Sequence, residues 1–546
     1  MHKRRCFILL LFFLTGFLLV YIRIIKIQYK NADQLSVIAD SQYKYTENYK
    51  ELNYNLIDCN KKELLNYNKK YKAVIIPSAF SKNNYDKGNE EFLKLLYILK
   101  SYNDEYDLST TIGSNKSEKI YFDIDDITYN KLRKLKNIKG FYTYSYLELD
   151  NKEGWKIENL LINTRNTSDS SLKNNDSLEM KLYNNVKNNK KPKVVFNIDM
   201  NGNITEAGIE YGKDNKDVLL TLDGSLQQRI KKLINSKYKK YDQIGIVLME
   251  GNTGKIKALV QKDDTLPNVN IGAETLNGFF PGSIFKSIVL EAALEENKIP
   301  INKKISCSGE FESIGHNHGS LNMIDAFIVS CNDIYSRIGI NAGFNKINEL
   351  CEEQGLFNKV LGFEKEQHGK LEVTKPIAED GSLGSMSIGQ NLRITPIEAI
   401  SIVNSIANNG YYVKPYIIDS YINSEGEIID KTKIIKKKII SKKNADIIKD
   451  AMEGVVKRGT GKMAFTSKAI TGGKTGTTER IEVFKEDSEN KKRELSDGWF
   501  IGYFYFNNKY YSMVVFVQNI NKNTESGGNT AAPIFRDVVE EFIKSS

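Results

Sequence analysis

Phe280-Pro281-Gly282-Ser283-Ile284-Phe285-Lys286 leads into the apolar run Ser287-Ile288-Val289-Leu290-Glu291-Ala292-Ala293-Leu294. Pro281 and Gly282 interrupt whatever precedes them, and the residues beyond repeat apolar positions at helical spacing. Ser283 therefore falls at or near a helix N-terminus, where unpaired backbone N–H groups and the helix dipole favour negative charge. Lys286, three residues on, shares a helix face with Ser283. A serine hydroxyl needs a base to become a nucleophile, and a desolvated lysine can act as that base. Taken alone, a Ser-x-x-Lys pair fits an ordinary helix that happens to carry both residues.

At 546 residues the chain exceeds one ordinary core and implies two to four domains. Hydrophobic residues at 40% and charged residues at 27% describe a globular protein. The net charge of +10 is spread without blocks of like charge. It reads as a solvated surface suited to an anionic cell envelope, and argues against nucleic-acid binding. The cysteines Cys6, Cys59, Cys307, Cys331 and Cys351 include no Cys-x-x-Cys pair. The histidines His2, His316, His318 and His368 are scattered. His316 and His318 with Cys307 form the one cluster of metal-ligand type, and neither a metal nor a cofactor is expected.

His2-Lys3-Arg4-Arg5 precede an apolar segment over 6–22, interrupted only by Thr15 and Gly16. It is long enough to span a bilayer when Arg23 and Lys26 snorkel to the interface. No small-residue cleavage site and no lipoprotein-type cysteine follows, so residues 1–30 read as a cytoplasmic tail and an uncleaved transmembrane anchor. A single span before a large body favours a single-pass membrane protein with a cytoplasmic N-terminus and its C-terminal body outside. Residues 31–195 carry strand patterns at 71–77 and 119–124 and a short helix at 91–99. They hold no catalytic signature and read as an elongated pedestal or docking domain, ending in a polar linker over 166–191.

From Asp217 the patterning sharpens. A strand-like run covers 217–223, and 225–241 makes an amphipathic helix with Leu226, Ile230, Leu233 and Ile234 on one face. Strands over 244–250 and 255–261 flank the hairpin signal Asn252-Thr253-Gly254. Helical patterns dominate from 283 to 407. Three more strands are predicted at 473–480, 499–506 and 510–518, then a helix over 532–544. Two early and three late strands around a helical insertion predict one antiparallel five-stranded sheet covered by helices, an α+β domain over 215–546.

Two further elements carry chemistry. Lys474-Thr475-Gly476-Thr477 opens a late strand, and alternation puts Lys474 on the face opposite Thr475. Gly476 would let a substrate backbone lie against bare main chain, as in strand addition. Ser330-Cys331-Asn332 lies between helical patterns over 321–329 and 334–342. In an extended turn Ser330 and Asn332 point the same way, although Ser and Asn also suit ordinary helix caps. Ser-x-x-Lys, Ser-x-Asn and Lys-Thr-Gly in this order are the serine acyl-enzyme set of β-lactamases and penicillin-binding proteins.

From about Asp217 onward the chain resembles the transpeptidase domain of class B penicillin-binding proteins. The likeness rests on DVLLTLDGSLQ, IVLMEGNTGKIKALV, HNHGSLNMIDAFIVSCN, SIGQNLRITPIEAISIVNSIANNG, GVVKRGTGKMA, GGKTGTTER, DGWFIGYF and GGNTAAPIFRDV. Nearer the N-terminus, NYNLIDCNKKELL keeps Asp58 and Asn60, but Asn53, Tyr54 and Cys59 stand where the family has Arg, Gly and Arg. The resemblance implies a D,D-transpeptidase that cross-links peptidoglycan stem peptides and is covalently inhibited by β-lactams. It implies Ser283 as acylated nucleophile, Lys286 as its base, Ser330 as proton relay and Asn332 as a hydrogen-bonding partner of the substrate peptide. Lys474 would keep the site positive, and Thr475 and Thr477 with Gly476 would bind the stem-peptide carboxylate. The Ser283 and Thr477 N–H groups would form the oxyanion hole. A separate membrane glycosyltransferase is the implied partner. The alternatives are a D,D-carboxypeptidase or β-lactamase on the same fold, or a non-catalytic β-lactam sensor. Cys331, between two implied site residues, reads as a packed side chain, with a disulfide to Cys351 or Cys307 as the alternative.

Overall fold

The computed structural model describes residues 2–26, 44–84, 90–106, 108, 118–136, 138–166, 169–199, 203–312, 317–486 and 489–544. Two units partition the chain: Met1–Asn53, Asn66–Leu149 and Asn189–Asn215 form one, and Tyr54–Leu65, Asp150–Asn188 and Lys216–Ser546 the other. The expected continuous pedestal over 31–195 is thus interleaved, because two of its segments pack with the larger unit.

In the larger unit, five strands form the antiparallel sheet expected from both ends of the domain. They are β1 (Gln243–Glu250), β2 (Ile256–Gln261), β3 (Ile470–Glu486), β4 (Glu489–Phe506) and β5 (Lys509–Ile520), in the order β2-β1-β5-β4-β3. β1 is buried along its whole length, as its unbroken apolar run requires. Asn507 and Asn508, both at positive φ, make the two-residue turn between β4 and β5, a conformation that asparagine tolerates. One sheet face, including Ile246, Leu248, Phe500 and Val515, packs against helices Gly224–Lys237 and Ala531–Lys544 through Ile230, Ile234, Phe535 and Val538. Against β1, β4 and β5 also lies the helix Pro396–Ala407, buried at every position. Its apolar residues dominate, and its buried polar ones find partners inside, Asn404 on Gly251 O and Ser405 on Glu291; its start is defined by Pro396 and a capping box between Thr395 and Glu398. β3 is the edge strand, and the helices of the inserted block pack beside it.

Strand Asp217–Leu220 joins a separate sheet, antiparallel to Ile418–Ile422 and parallel to Leu56–Ile57. Asp58, retained from the family pattern, is buried and receives the amides of Asn60, Lys62 and Gly224. It thereby ties Tyr54–Leu65 to the start of helix Gly224–Lys237 without the two arginines and the glycine of the family. The linker expected over 166–191 instead contains helix Leu178–Val186, capped by Ser177 and burying Met180, Leu182 and Val186. Its polar residues are partly interior: Lys173 and Glu179 form a buried ion pair at 2.7 Å, and Glu179 also accepts from the Glu364 amide. Composition alone hid this, because buried charges were satisfied by each other.

In the smaller unit, helix His2–Ile25 contains the exposed stretch Phe7–Ile25, 19 residues with mean hydropathy 2.6, long and apolar enough to cross a membrane. Strands Ile120–Ile124, Tyr67–Ile75 and Phe141–Leu149 form an antiparallel sheet whose core includes Ala73, Ile75, Phe80, Leu95, Leu99 and Leu132. Val74, Tyr142 and Tyr144 pack with Val194 and Phe196 of a second three-stranded sheet.

Glu291 is fully buried on helix Lys286–Glu296, accepting from Gln354 and Ser405, and burial pushes its pKa up to about 8. Between its ordinary value and pH 8 the unfolded chain releases this proton while the folded chain keeps it, so stability falls as pH rises, by at most about 1.4 kcal/mol per pH unit. Glu291→Gln, which keeps the neutral shape, should therefore gain little Tm at pH 5 and clearly more at pH 8. Calorimetry at the two pH values checks this, and an equal shift at both would contradict a neutral Glu291.

Candidate active site

Gly282 occupies positive φ, and its amide donates to Gly389 O at 3.1 Å. From there Gly282–Phe285 makes a tight 3-10 turn that runs directly into helix Lys286–Glu296. Ser283 accordingly sits at a helix start, as its neighbours predict. Within 281–290 it is the only residue that is not buried.

The turn is pressed against edge strand β3. A Cβ on Gly282 would meet Thr477 O at 2.7 Å, one on Gly476 would meet Pro281 O at 2.8 Å, and one on Gly389 would meet Gly282 O at 1.9 Å. Glycine is required at all three for the segments to approach this closely. Gly476, expected to offer bare main chain to a substrate, turns its bare face to the serine turn instead. Trp499 Nε1 closes the contact by donating to Phe280 O at 3.1 Å.

Lys286 is wholly buried. Its Nζ donates to Ser330 O at 2.6 Å, Asn332 Oδ1 at 2.6 Å and Ser330 Oγ at 3.2 Å. Burial lowers its pKa to about 7, against the opposing influence of Glu312 and Cys331. Ser283 makes no hydrogen bond to it among the described residues.

Ser330 ends helix Met323–Val329 in the left-handed region, at φ 63°, and Cys331 caps the helix Asn332–Ala342 that follows at once. A non-glycine residue held there costs on the order of 1–3 kcal/mol, a cost typical of functional sites. Ser330 and Asn332 do converge, on Lys286, but through this left-handed step and not through an extended turn. Asn332 is fixed further: its amide donates to Glu312 Oε1 at 2.6 Å and its Nδ2 to Phe311 O at 3.1 Å.

Lys474 reaches the same hydroxyl from the strand, donating to Ser330 Oγ at 2.9 Å and to Thr475 O at 3.1 Å. It too is wholly buried, and burial together with the charge on Lys286 drives its pKa well below the ordinary lysine range. β3 keeps a regular register with β4 through Lys474, Thr475 and Gly476, so the predicted alternation holds. Thr475 Oγ1 lies 2.6 Å from Thr460 Oγ1, and the exposed Thr477 accepts from the Gly527 amide at 3.1 Å.

Thr460, Gly527, Phe311 and Glu312 escaped the sequence reading as supports of the site. The first two lie in the motif strings GVVKRGTGKMA and GGNTAAPIFRDV, which signal family but not contact. Cys59, Cys307, Cys331 and Cys351 are free thiols, so neither disulfide considered for Cys331 forms.

The chemistry available is therefore a partly exposed serine at a helix start, beside two buried amines that share a second serine. A family described as the penicillin binding protein transpeptidase domain matches residues 244–540. Stage V sporulation protein D of Bacillus subtilis is 26% identical over 363 residues, covering 61% of this chain and 54% of that protein. The peptidoglycan D,D-transpeptidase FtsI homolog of Mesostigma viride is 26% identical over 413 residues, covering 65% and 66%. This chain thus spans between half and two thirds of the length of those relatives. Among solved structures, a peptidoglycan synthetase from Bifidobacterium adolescentis shares the fold at TM-score 0.63 and 16% identity, covering 92% of this chain and 96% of that one. Penicillin binding protein 3 from Mycobacterium tuberculosis, complexed with aztreonam, does so at TM-score 0.59 and 15% identity, covering 92% and 97%. The matched family spans more than half of the sequence and takes in the sheet, the helical block and all three motifs, so this chain belongs to the penicillin-binding protein transpeptidase family.

Proposed function

We propose that the chain is a serine D,D-transpeptidase that cross-links peptidoglycan stem peptides through a Ser283 acyl-enzyme. The observation that carries this reading is the sharing of the Ser330 hydroxyl by Lys286 and Lys474 beside solvent-reached Ser283. The names of the relatives, peptidoglycan D,D-transpeptidases among them, support it.

In this reading Ser283 Oγ attacks the carbonyl carbon of the D-Ala-D-Ala peptide bond, and its proton passes to neutral Lys286. The pKa near 7 leaves a large neutral fraction of Lys286 at physiological pH. The oxyanion that forms is held by the Ser283 and Thr477 N–H groups, each donor worth about 2.7–4 kcal/mol in such sites. The C–N bond then breaks, and the departing D-Ala amine takes its proton by way of Ser330. An amine from a neighbouring stem peptide next attacks the ester carbonyl, gives up a proton along the same path and releases Ser283.

Asn332 holds Lys286 in place and exchanges its bond to Phe311 O for one to the substrate peptide. Thr475 and Thr477 bind the stem-peptide carboxylate, while Gly476 keeps the strand against the serine turn. Among the described residues no carboxylate pairs with Lys474, and the arriving substrate carboxylate supplies the counter-charge that favours its ammonium form. β-Lactams acylate the same serine, and their amine stays tethered, so the ester persists.

The apolar helix over 7–25 anchors the protein in a bacterial cell membrane with the catalytic unit outside, where the stem peptides are. The smaller unit serves as a pedestal, and a separate membrane glycosyltransferase supplies the glycan strands.

Two measurements test this. With lipid-linked substrate and a partner polymerase, D-Ala release and cross-linking should fall by at least about 10³-fold in Ser283→Ala, in keeping with the loss of a nucleophile. Persistent cross-linking would remove Ser283 from the role. The rate of β-lactam acylation should rise with pH and level off above about 7, because only the neutral amine of Lys286 accepts a proton. Lys286→Ala should lower that rate by about 10²–10⁴-fold. A rate flat between pH 5.5 and 8.5 would contradict Lys286 as the base.

A further inference from the structure

Behind the Ser330-Cys331-Asn332 step, four side chains of metal-ligand type turn toward one centre. The ligand atoms of Cys307, Glu312, His318 and Cys331 all lie within 4.8 Å of one another. Tetrahedral ligands about 2.0–2.3 Å from a zinc ion stand about 3.3–3.8 Å apart, so a small contraction would complete the site. His316, which with His318 and Cys307 formed the cluster seen in the sequence, lies outside the described residues. In the sequence that cluster carries no metal expectation because the histidines are few and scattered; Glu312, inside the same stretch, and Cys331 complete it in the fold.

We propose that Cys307, Glu312, His318 and Cys331 bind one divalent transition-metal ion, zinc by donor chemistry, and that the ion positions the Ser330-Cys331-Asn332 step. Two thiolates and an imidazole favour zinc over calcium or magnesium, and a single carboxylate completes a four-coordinate set. Both cysteines are buried and free, while Glu312 and His318 retain only 8% and 16% side-chain exposure.

The donors are held as a metal shell requires. Glu312 Oε1 takes the amides of Asn332 and Asp333, which leaves Oε2 for the ion. Cys331 Sγ caps helix Asn332–Ala342 by accepting from the Ile334 amide at 3.5 Å, which fixes the direction of the sulfur. The Cys307 amide donates to Gly319 O, and Asn317 Nδ2 donates to Cys307 O. Asp333 receives the Ser308 amide and hydroxyl, which clamps the Cys307 segment to the same helix start. Binding releases the thiol protons to solvent, and an ion at Cys331 would fix the backbone between Ser330 and Asn332, the two residues that Lys286 holds.

The test uses the full-length protein in detergent, dialysed against zinc and then freed of excess by gel filtration over a weak chelator. Wild type and Cys351→Ser, a buried cysteine outside the cluster, should each retain about one zinc per chain, whereas Cys307→Ser and His318→Gln should retain about a tenth or less. Cobalt in place of zinc should give wild type a thiolate-to-metal charge-transfer band, which decides the matter even where a variant fails to fold. Wild type with neither bound zinc nor that band, or full zinc content in both ligand variants, would overturn the proposal. Metal content is read without turnover, so this outcome is separate from the fate of Ser283 as nucleophile.

Discussion

Two primary amines, one from a helix and one from a strand, donate to a single hydroxyl inside the protein. Lys286 and Lys474 meet at Ser330 Oγ, at the junction of the serine turn, the Ser330-Cys331-Asn332 step and β3. Burying an ammonium is expensive unless it is fully hydrogen-bonded. Lys286 has three acceptors for its three hydrogens, and Lys474 has two. The imbalance matches the electrostatics: Lys286 comes to rest near neutrality, and Lys474 is driven further from its charged form. A pair tuned in this way can trade a proton through the hydroxyl between them, which is the property an acyl-transfer site needs.

The second requirement is that a serine from another segment stay within reach. Close packing of main chain accomplishes this, with no side-chain bond to Ser283 among the described residues. Gly282, Gly389 and Gly476 let three segments touch at distances that any Cβ would prevent, and Trp499 ties Phe280, just before the serine turn, to β4. The strained φ of Ser330 belongs to the same economy of space, since it lets one helix end and the next begin with only Cys331 between them. Rigid packing of this kind is what the proposed role of Ser283 requires.

Much of this was legible in the chain. The unbroken apolar run of β1, the alternating late strands and the Ser-x-x-Lys helix each carry their own periodicity, so the sheet and the helix start that bears Ser283 emerged together. The helix over 178–186 did not, because its charges pair internally and its composition resembles a linker. The convergence of Ser330 and Asn332 was anticipated with the wrong backbone, since local pattern does not reveal a left-handed serine. Glycine signals were read as open main chain at Gly476, where the fold uses the missing Cβ for packing. Least legible were the contacts of Glu312 and Cys331, which exist only because the Cys307 segment folds back onto a helix start far along the chain.

The central claim is that this arrangement of amines makes Ser283, and no other residue, the nucleophile. Mass spectrometry of the protein after brief exposure to a penicillin, followed by peptide mapping, addresses it directly. The expected result is a single penicilloyl adduct, located on Ser283 and formed at close to one per chain. An adduct on Ser330 or elsewhere, or no adduct on folded protein, would contradict the account.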